Sequence, residues 1–264
     1  MRRRSFLRAA LATSAAALAP AVQAQTPAVA SREYYQLRKY TLRSGPQGKL
    51  VDQFFSSALI PALNRLGFSP IGVFRVTFGP QTPTVYVMIP GSNLETLVNV
   101  DLLLSQDSEF LKAAGPFWNA PAKEPPFERI ESTLLKAFEG WPKLQVPAST
   151  AQNGKRIFHL RTYESPTPGD HARKVEMFHQ GEFKIFQRSG CGQVFYGDAL
   201  IGPNLPKLTY MLTFPDIDAL NAGWDRFFAD PDWKKLSADQ RYSFEAIVSN
   251  VDSLVLSPAP YSQI

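Results

Sequence analysis

The sequence predicts an α+β fold in which two tandem ferredoxin-like repeats, each β-α-β-β-α-β, pack sheet to sheet as a closed barrel. Short segments recur at an offset of about 123 residues: Leu37-Arg38-Lys39-Tyr40 returns as Leu160-Arg161-Thr162-Tyr163. Strand and helix patterns then follow in the same order in both halves. Each predicted sheet carries helices on one face only, so the two bare faces can bury each other.

The first repeat is predicted over residues 32–139. It opens with an alternating strand over residues 34–42. Apolar residues at helical spacing then predict a helix over 49–66, which Gly67 ends. The remaining predicted elements are strands over 71–78 and 84–89, a helix over 94–111 and a strand near 129–138.

The second repeat is predicted over residues 155–258, after a Pro- and Gly-containing linker over 140–154. It opens with a strand over 156–163 and a helix over 170–188, which Gly190 ends. The remaining predicted elements are strands over 193–200 and 207–214, a helix over 217–228 and a strand near 246–256.

Residues 1–24 have the three-part layout of a secretory signal peptide. An arginine cluster precedes an alanine-rich apolar run, and a small-residue cleavage pattern ends at Ala24. Arg3 and Arg4 stand before Phe6 and Leu7, which resembles the twin-arginine export motif. We therefore expect a periplasmic or secreted protein, exported by the twin-arginine route or, alternatively, by the general secretory route.

Charge and cysteine content exclude several classes of protein. The first 24 residues hold four arginines and no acid, so their removal lowers the formal charge from +5 to +1. A nearly neutral mature chain argues against nucleic-acid binding. Cys191 is the only cysteine, so no intramolecular disulfide can form. No later apolar run is long enough to anchor the mature chain in a membrane.

The three histidines lie close together in the sequence "IFHLRTYESPTPGDHARKVEMFH" but are not expected to form one metal site. His159 falls on a strand, whereas His171 and His179 fall on the following helix, about 12 Å apart along its axis. Zinc–nitrogen bonds of about 2 Å cannot span that distance. We expect no metal site, and we interpret Cys191 as a small residue at the start of a strand.

Alternation along the two opening strands predicts a ligand site inside the barrel. The more polar face of each strand is assigned to the interior, and the more apolar face to the helices. The candidate ligand-binding residues are Gln36, Arg38, Tyr40, His159, Arg161 and Tyr163. Two roles remain open for the arginines: contact with a ligand, or buried pairing with a glutamate such as Glu128, Glu164, Glu182 or Glu245. No catalytic residue is assigned.

The segments "YYQLRKYTLRSGPQGKL", "IFHLRTYESPTPGDHARKV" and "LNAGWDRFFADPDWKKL" resemble the NIPSNAP family. The first repeat departs from this pattern, because residues 101–118 lack the aspartate-proline turn. The resemblance implies a dimeric α+β barrel. That superfamily also contains cofactor-free monooxygenases, dye-decolourising peroxidases and chlorite dismutase-like haem proteins, whereas NIPSNAP members have no generally accepted enzymatic activity.

Two functions are consistent with the sequence. The first is a non-enzymatic module that binds a small molecule or another protein, without a cofactor. The alternative is a barrel-type oxidoreductase or monooxygenase, cofactor-free or haem-dependent, acting on a small organic substrate. The sequence leaves open whether the ligand is a small anionic molecule and whether the chain forms a homo-oligomer.

Overall fold

Eight antiparallel strands close into a barrel in the computed structural model, which describes residues 31–43, 45–79, 83–152 and 154–264. This confirms the predicted fold class. The predicted export residues Arg3, Arg4, Phe6, Leu7 and Ala24 lie outside the described residues, so export stays a prediction. No helix among the described residues is long and apolar enough to cross a membrane.

The strands fall into two sets of four, one from each repeat. They are β1 (Tyr34–Thr41), β2 (Gly72–Phe78), β3 (Thr84–Gly91), β4 (Arg129–Ala137), β5 (Ile157–Glu164), β6 (Gly192–Ile201), β7 (Lys207–Phe214) and β8 (Asn250–Pro258). Around the barrel the order is β1-β3-β2-β8-β5-β7-β6-β4. The repeats are therefore joined by two equivalent pairings, β2 with β8 and β4 with β6.

One long helix follows the first strand of each repeat. Helix α1 consists of Pro46–Phe54, a π-helical turn at Phe55–Leu59, and Ile60–Arg65. Its counterpart, which we number α6, consists of Pro168–Met177, a π-helical turn at Phe178–Glu182, and Phe183–Arg188. The two π turns are separated by the same 123 residues as the repeats. Gly67 and Gly190, with φ of 84° and 74°, follow these helices as predicted.

The helix predicted over 94–111 is instead three short helices. Asn93 and Asp107 each accept a hydrogen bond from a backbone N–H three residues ahead, so each begins a new helix. The pieces are α2 (Leu94–Val98), α3 (Val100–Leu104) and α4 (Ser108–Trp118). The remaining helices are α5 (Ala148–Ala151), α7 (Ile217–Ala229), α8 (Pro231–Ser237) and α9 (Phe244–Ile247).

The apolar core has three parts. One cluster lies between the helices and the sheet of each repeat, and a third fills one end of the barrel interior. The interior cluster includes Tyr35, Phe74, Leu135, Phe158, Phe195, Met211 and Leu256. Side chains of opposite strands thus pack against one another inside the barrel, as expected for eight strands.

Candidate functional site

The six predicted ligand-binding residues lie on the strand face that packs against the helices, not on the face that lines the barrel. In β5, Phe158 and Leu160 belong to the interior cluster, whereas Tyr163 packs among helix residues. In β1, Leu37 is interior and Tyr40 lies under the helices. The predicted face assignment is therefore wrong. Both faces of each strand are buried, so the more polar face need not be the interior one.

In the first repeat, Arg38 is held by the protein's own polar groups. Its Nη1 lies 2.9 Å from Oδ1 of Asp101, and its Nε and Nη2 donate to Oε1 of Gln36 at 3.1 and 2.9 Å. Tyr40 packs edge-on against Phe55, with 5.0 Å between the ring centres. Arg38 therefore pairs with an aspartate, whereas the sequence suggested only glutamates as partners for the arginines.

In the second repeat, Arg161 contacts aromatic rings instead of a carboxylate. Its Cζ lies 4.7 Å from the ring centre of Trp224 and 5.3 Å from that of Tyr163. It forms no ion pair within the described residues, and its buried Nε has no hydrogen-bond partner there. Cation–π contacts contribute roughly 0.5–2 kcal/mol each. The rings therefore account for much of the stabilisation of this cation.

His159 is a buried, neutral histidine with a fixed tautomer. The indole Nε1–H of Trp224 donates to its Nδ1 at 3.1 Å, so the ring proton is on Nε2, which donates to Oγ of Ser253 at 2.7 Å. Burial, with a contribution from nearby Arg161, lowers the pKa of His159 to about 3. A general acid or base works best with a pKa near the operating pH. His159 is therefore better suited to positioning β5 and α7 than to proton transfer.

The other two histidines lie on α6 and bind neighbouring groups of the protein. His179 accepts a hydrogen bond from the backbone N–H of Gly140 at 3.1 Å and donates from Nδ1 to the carbonyl of Val175 at 2.8 Å. Nε2 of His171 lies 2.7 Å from Oδ1 of Asp198. Within the described residues, no group of three or more His, Cys, Asp and Glu side chains could hold a metal ion.

These histidines do not fit a haem iron. Axial ligation requires a free ring nitrogen that faces open space. Both nitrogens of His159 and of His179 are hydrogen-bonded. Nε2 of His171 is bonded to Asp198, and its Nδ1, which has no hydrogen-bond partner among the described residues, is buried. The three histidines thus offer no free and accessible ring nitrogen to a haem iron.

A polar chamber at one end of the barrel is the site that the sequence did not reveal; we call it the barrel mouth. It encloses about 160 Å³ between inward-facing side chains of six strands and the loop that joins β6 to β7. Its polar lining consists of Lys39, Tyr86, Glu131, Thr133, Thr162, Asn204, Lys207, Thr209 and Asp252. Leucines separate this chamber from the apolar end of the interior.

The strand register explains why these polar groups meet. Lys39 of β1 lies opposite Glu131 of β4, and its repeat equivalent Thr162 lies opposite Asp252 of β8. The two carboxylates therefore occupy equivalent places in the two repeats. On β7, alternation from interior Met211 brings Thr209 and Lys207 to the same face.

Lys207 is the buried cation of the barrel mouth. Its exposed fraction is 8%, and its ammonium group forms no ion pair with any described residue. Burial lowers its pKa, and the carboxylates of Glu164, Asp252 and Glu131 partly oppose that effect. Lys39 differs, because its Nζ lies 3.9 Å from Oε1 of Glu131. The stem of Lys207 is therefore buried, while its ammonium group has no close counter-charge among the described residues and is available to a molecule in the mouth.

Glu164, a carboxylate close to the mouth but outside its lining, is held by two asparagine side chains. The side-chain amides of Asn204 and Asn250 donate to Oε1 of Glu164 at 3.1 and 3.3 Å. Deeper in the chamber, the hydroxyls of Thr162 and Thr209 lie 3.0 Å apart and bond to each other. The chamber thus offers two ammonium groups, two carboxylates and several hydroxyls to a small polar molecule.

A larger and more open groove of about 580 Å³ lies between residues 140–145 and α6. It is lined by Trp141, Phe183 and His179, together with several glutamines. Cys191 also borders it, but this thiol is 4% exposed and burial raises its pKa to about 11. The groove contains no buried cation or carboxylate without a partner, so it is the weaker candidate for a binding site.

Comparison with known proteins finds a family similarity over the second repeat. Residues 158–263 match the NIPSNAP family. A NIPSNAP-like domain protein from Burkholderia xenovorans is 17% identical, with 40% of this chain and 88% of that chain covered at a TM-score of 0.36. No curated protein sequence matches the chain.

Larger solved structures share the complete barrel. A candidate monooxygenase from Lactobacillus acidophilus is 13% identical, with 86% of this chain and 94% of that chain covered at a TM-score of 0.53. Another from Fusobacterium nucleatum is 8% identical, with 87% and 93% covered at a TM-score of 0.53. Such low identities establish a common fold and nothing about activity. The chain is therefore similar to the NIPSNAP family over residues 158–263, within an eight-stranded α+β barrel.

Proposed function

We propose that the protein binds a small organic anion in the barrel mouth and has no catalytic role that depends on its histidines. The observation that carries this proposal is Lys207, whose largely buried side chain borders the polar barrel mouth and whose ammonium group has no ion-pair partner among the described residues. An anionic ligand would supply the missing counter-charge.

The size and polarity of the chamber limit the ligand. Its 160 Å³ corresponds to the volume of about five water molecules, well below the usual range for drug-sized ligands. Glu131 and Asp252 disfavour a ligand with more than one negative charge, because a second charge would lie near these carboxylates. A short carboxylic acid fits this combination best if it also has a hydroxyl group, which can donate to a carboxylate, or a carbonyl group, which can accept from a threonine hydroxyl.

Glycolate is a suitable probe, because it has one carboxylate and one hydroxyl. A charge-assisted hydrogen bond contributes about 1.5–3 kcal/mol, so we expect Lys207→Met to weaken glycolate binding about 10- to 100-fold. Calorimetric titration measures the affinity, and Lys184→Met, which removes an exposed lysine on α6, is the matched control. Equal affinity in the two variants, or no binding by the folded wild type, would overturn the proposal.

The likeness to candidate monooxygenases does not favour the oxidoreductase alternative, since it concerns the fold alone. We further propose, from the sequence of residues 1–24, that the mature chain acts outside the cytoplasm. Cell fractionation tests this. Replacement of Arg3 and Arg4 by lysine should retain the precursor in the cytoplasm, whereas unchanged export would exclude the twin-arginine route.

A further inference from the structure

We propose that Lys207 also reacts covalently, forming an imine with a small aldehyde or ketone acid held in the barrel mouth. This inference rests on the anion site proposed above, and it specifies the ligand as a carbonyl compound. Anion binding does not require the amine of Lys207 to be nucleophilic, but its surroundings favour that reactivity.

Three features of Lys207 favour nucleophilic reaction. The side chain is buried, it faces a chamber that can hold a reactant, and no carboxylate of the described residues pairs closely with its Nζ. A close carboxylate would hold the amine in its protonated form, which has no lone pair. Burial acts in the opposite direction and lowers the pKa of Lys207, as is typical of lysines that form Schiff bases.

The other polar groups of the mouth can bind the carboxylate of the reactant and exchange protons with it. Lys39 can attract the carboxylate of the reactant, while the hydroxyls of Thr162 and Thr209 provide hydrogen bonds. Glu131 and Asp252 border the same chamber and can exchange protons with the reacting groups. The leucines beneath limit the reactant to a short chain.

The reaction balances without an oxidant or reductant. The neutral amine forms a C–N bond with the carbonyl carbon, and the carbonyl oxygen takes up a proton to give a carbinolamine. The C–O bond then breaks, and the oxygen leaves as water while the nitrogen gives up its second proton. One amine and one carbonyl compound thus yield one imine and one water molecule.

Several charged groups control the fraction of neutral amine. Glu164, Asp252 and Glu131 favour the ammonium form of Lys207, whereas Lys39 and burial disfavour it. Substitution of Lys39 therefore has two consequences. It weakens capture of an anionic aldehyde, and it also reduces the fraction of Lys207 that is neutral. Both effects lower imine formation from glyoxylate, whereas only the second affects an uncharged aldehyde such as acetaldehyde.

The test treats the folded protein with glyoxylate and cyanoborohydride at neutral pH, which converts an imine into a carboxymethyl-lysine. Peptide mapping by mass spectrometry then compares Lys207 with every other lysine. We expect labelling of Lys207 to exceed that of exposed Lys184 at least tenfold, and glycolate to suppress it. Lys39→Met should reduce glyoxylate labelling more than acetaldehyde labelling, while Lys184→Met should change neither at Lys207.

The outcomes separate the two proposals. If glycolate binds in the mouth but Lys207 is labelled no faster than Lys184, the imine proposal is wrong and anion binding stands. If Lys207 is labelled rapidly but glycolate neither binds nor protects it, anion binding is wrong and the reactive lysine stands. If neither rapid labelling nor glycolate binding occurs, both proposals are wrong.

Discussion

Two nitrogen bases, His159 and Lys207, are buried on opposite faces of the same half-barrel and have contrasting environments. His159 has both ring nitrogens hydrogen-bonded and contacts Trp224 edge-on, with 5.8 Å between the ring centres. Lys207 has no ion-pair partner among the described residues and faces a chamber. In buried sites, an unpaired polar group is a stronger indication of function than a paired one.

The low pKa of His159 predicts a specific loss of stability in acid. Its folded pKa of about 3 is below the ordinary value of 6.5, so the unfolded chain binds the proton more tightly. The stabilisation is complete above about pH 6.5 and decreases as the pH falls toward 3. Between pH 7 and pH 5 we expect a decrease of about 2 kcal/mol from this residue.

Denaturant unfolding of the wild type and of His159→Gln at the two pH values checks this prediction. The substitution itself will lower stability at both pH values, so the quantity to compare is the difference between pH 7 and pH 5. The variant should lack about 2 kcal/mol of the wild-type pH dependence. An identical pH dependence in both proteins would mean that His159 is protonated equally easily in the folded and unfolded chains.

At the scale of the element, helix α6 buries an ion pair beside its π turn. Nζ of Lys174 lies 2.6 Å from Oε1 of Glu182, and the two residues are 4% and 2% exposed. The same Nζ lies 5.1 Å from the ring centre of Tyr163 and 4.9 Å from that of Phe178. Glu182, which the sequence offered as a partner for an arginine, is thus used by a lysine of its own helix.

Removal of one member of this pair should be far more damaging than removal of both. Glu182→Leu leaves Lys174 charged and buried without a partner, and we expect a loss of about 3–5 kcal/mol in the free energy of unfolding. The double variant Lys174→Met/Glu182→Leu should recover most of that loss, because neither position then holds a buried charge. Thermal or denaturant melts measure both, with Asp232→Asn on the exposed end of α8 as a control that should change stability little. A double variant as unstable as the single one would contradict this explanation.

The elements themselves were largely predictable, because their boundaries depend on local chemistry. Strand β7 occupies the predicted residues 207–214, and the glycines that follow α1 and α6 lie where predicted. The split of the helix after β3 was not predicted, because its apolar spacing continues through Asn93 to Asp107 while side-chain caps interrupt the backbone. The buried Lys174–Glu182 pair could not be predicted either, since helical spacing alone does not show which polar residues a neighbouring sheet will cover.

At the scale of the whole molecule, the internal repeat predicted barrel closure correctly. It did not show which face of each strand lines the barrel interior. Strands β1 and β5 are packed on both faces, so the polarity of a face does not show whether it lines the interior. In β1, Arg38 lies against the helices and Lys39 lies in the mouth, although they are adjacent in the sequence. The barrel mouth becomes visible only when the ends of six strands are brought together, and no sequence motif marks it.

The pairing of β2 with β8 has a consequence for the order of events during protein synthesis. At translation rates of about 5–20 residues per second, the roughly 120 residues between the end of β4 and the end of β8 take about 6–24 s to emerge. Throughout that interval the first repeat is fully made, yet its β2 edge and its apolar inner face have no partner. The nascent chain is therefore most exposed to misassociation late in synthesis, when a chaperone that covers the first repeat would be of greatest benefit.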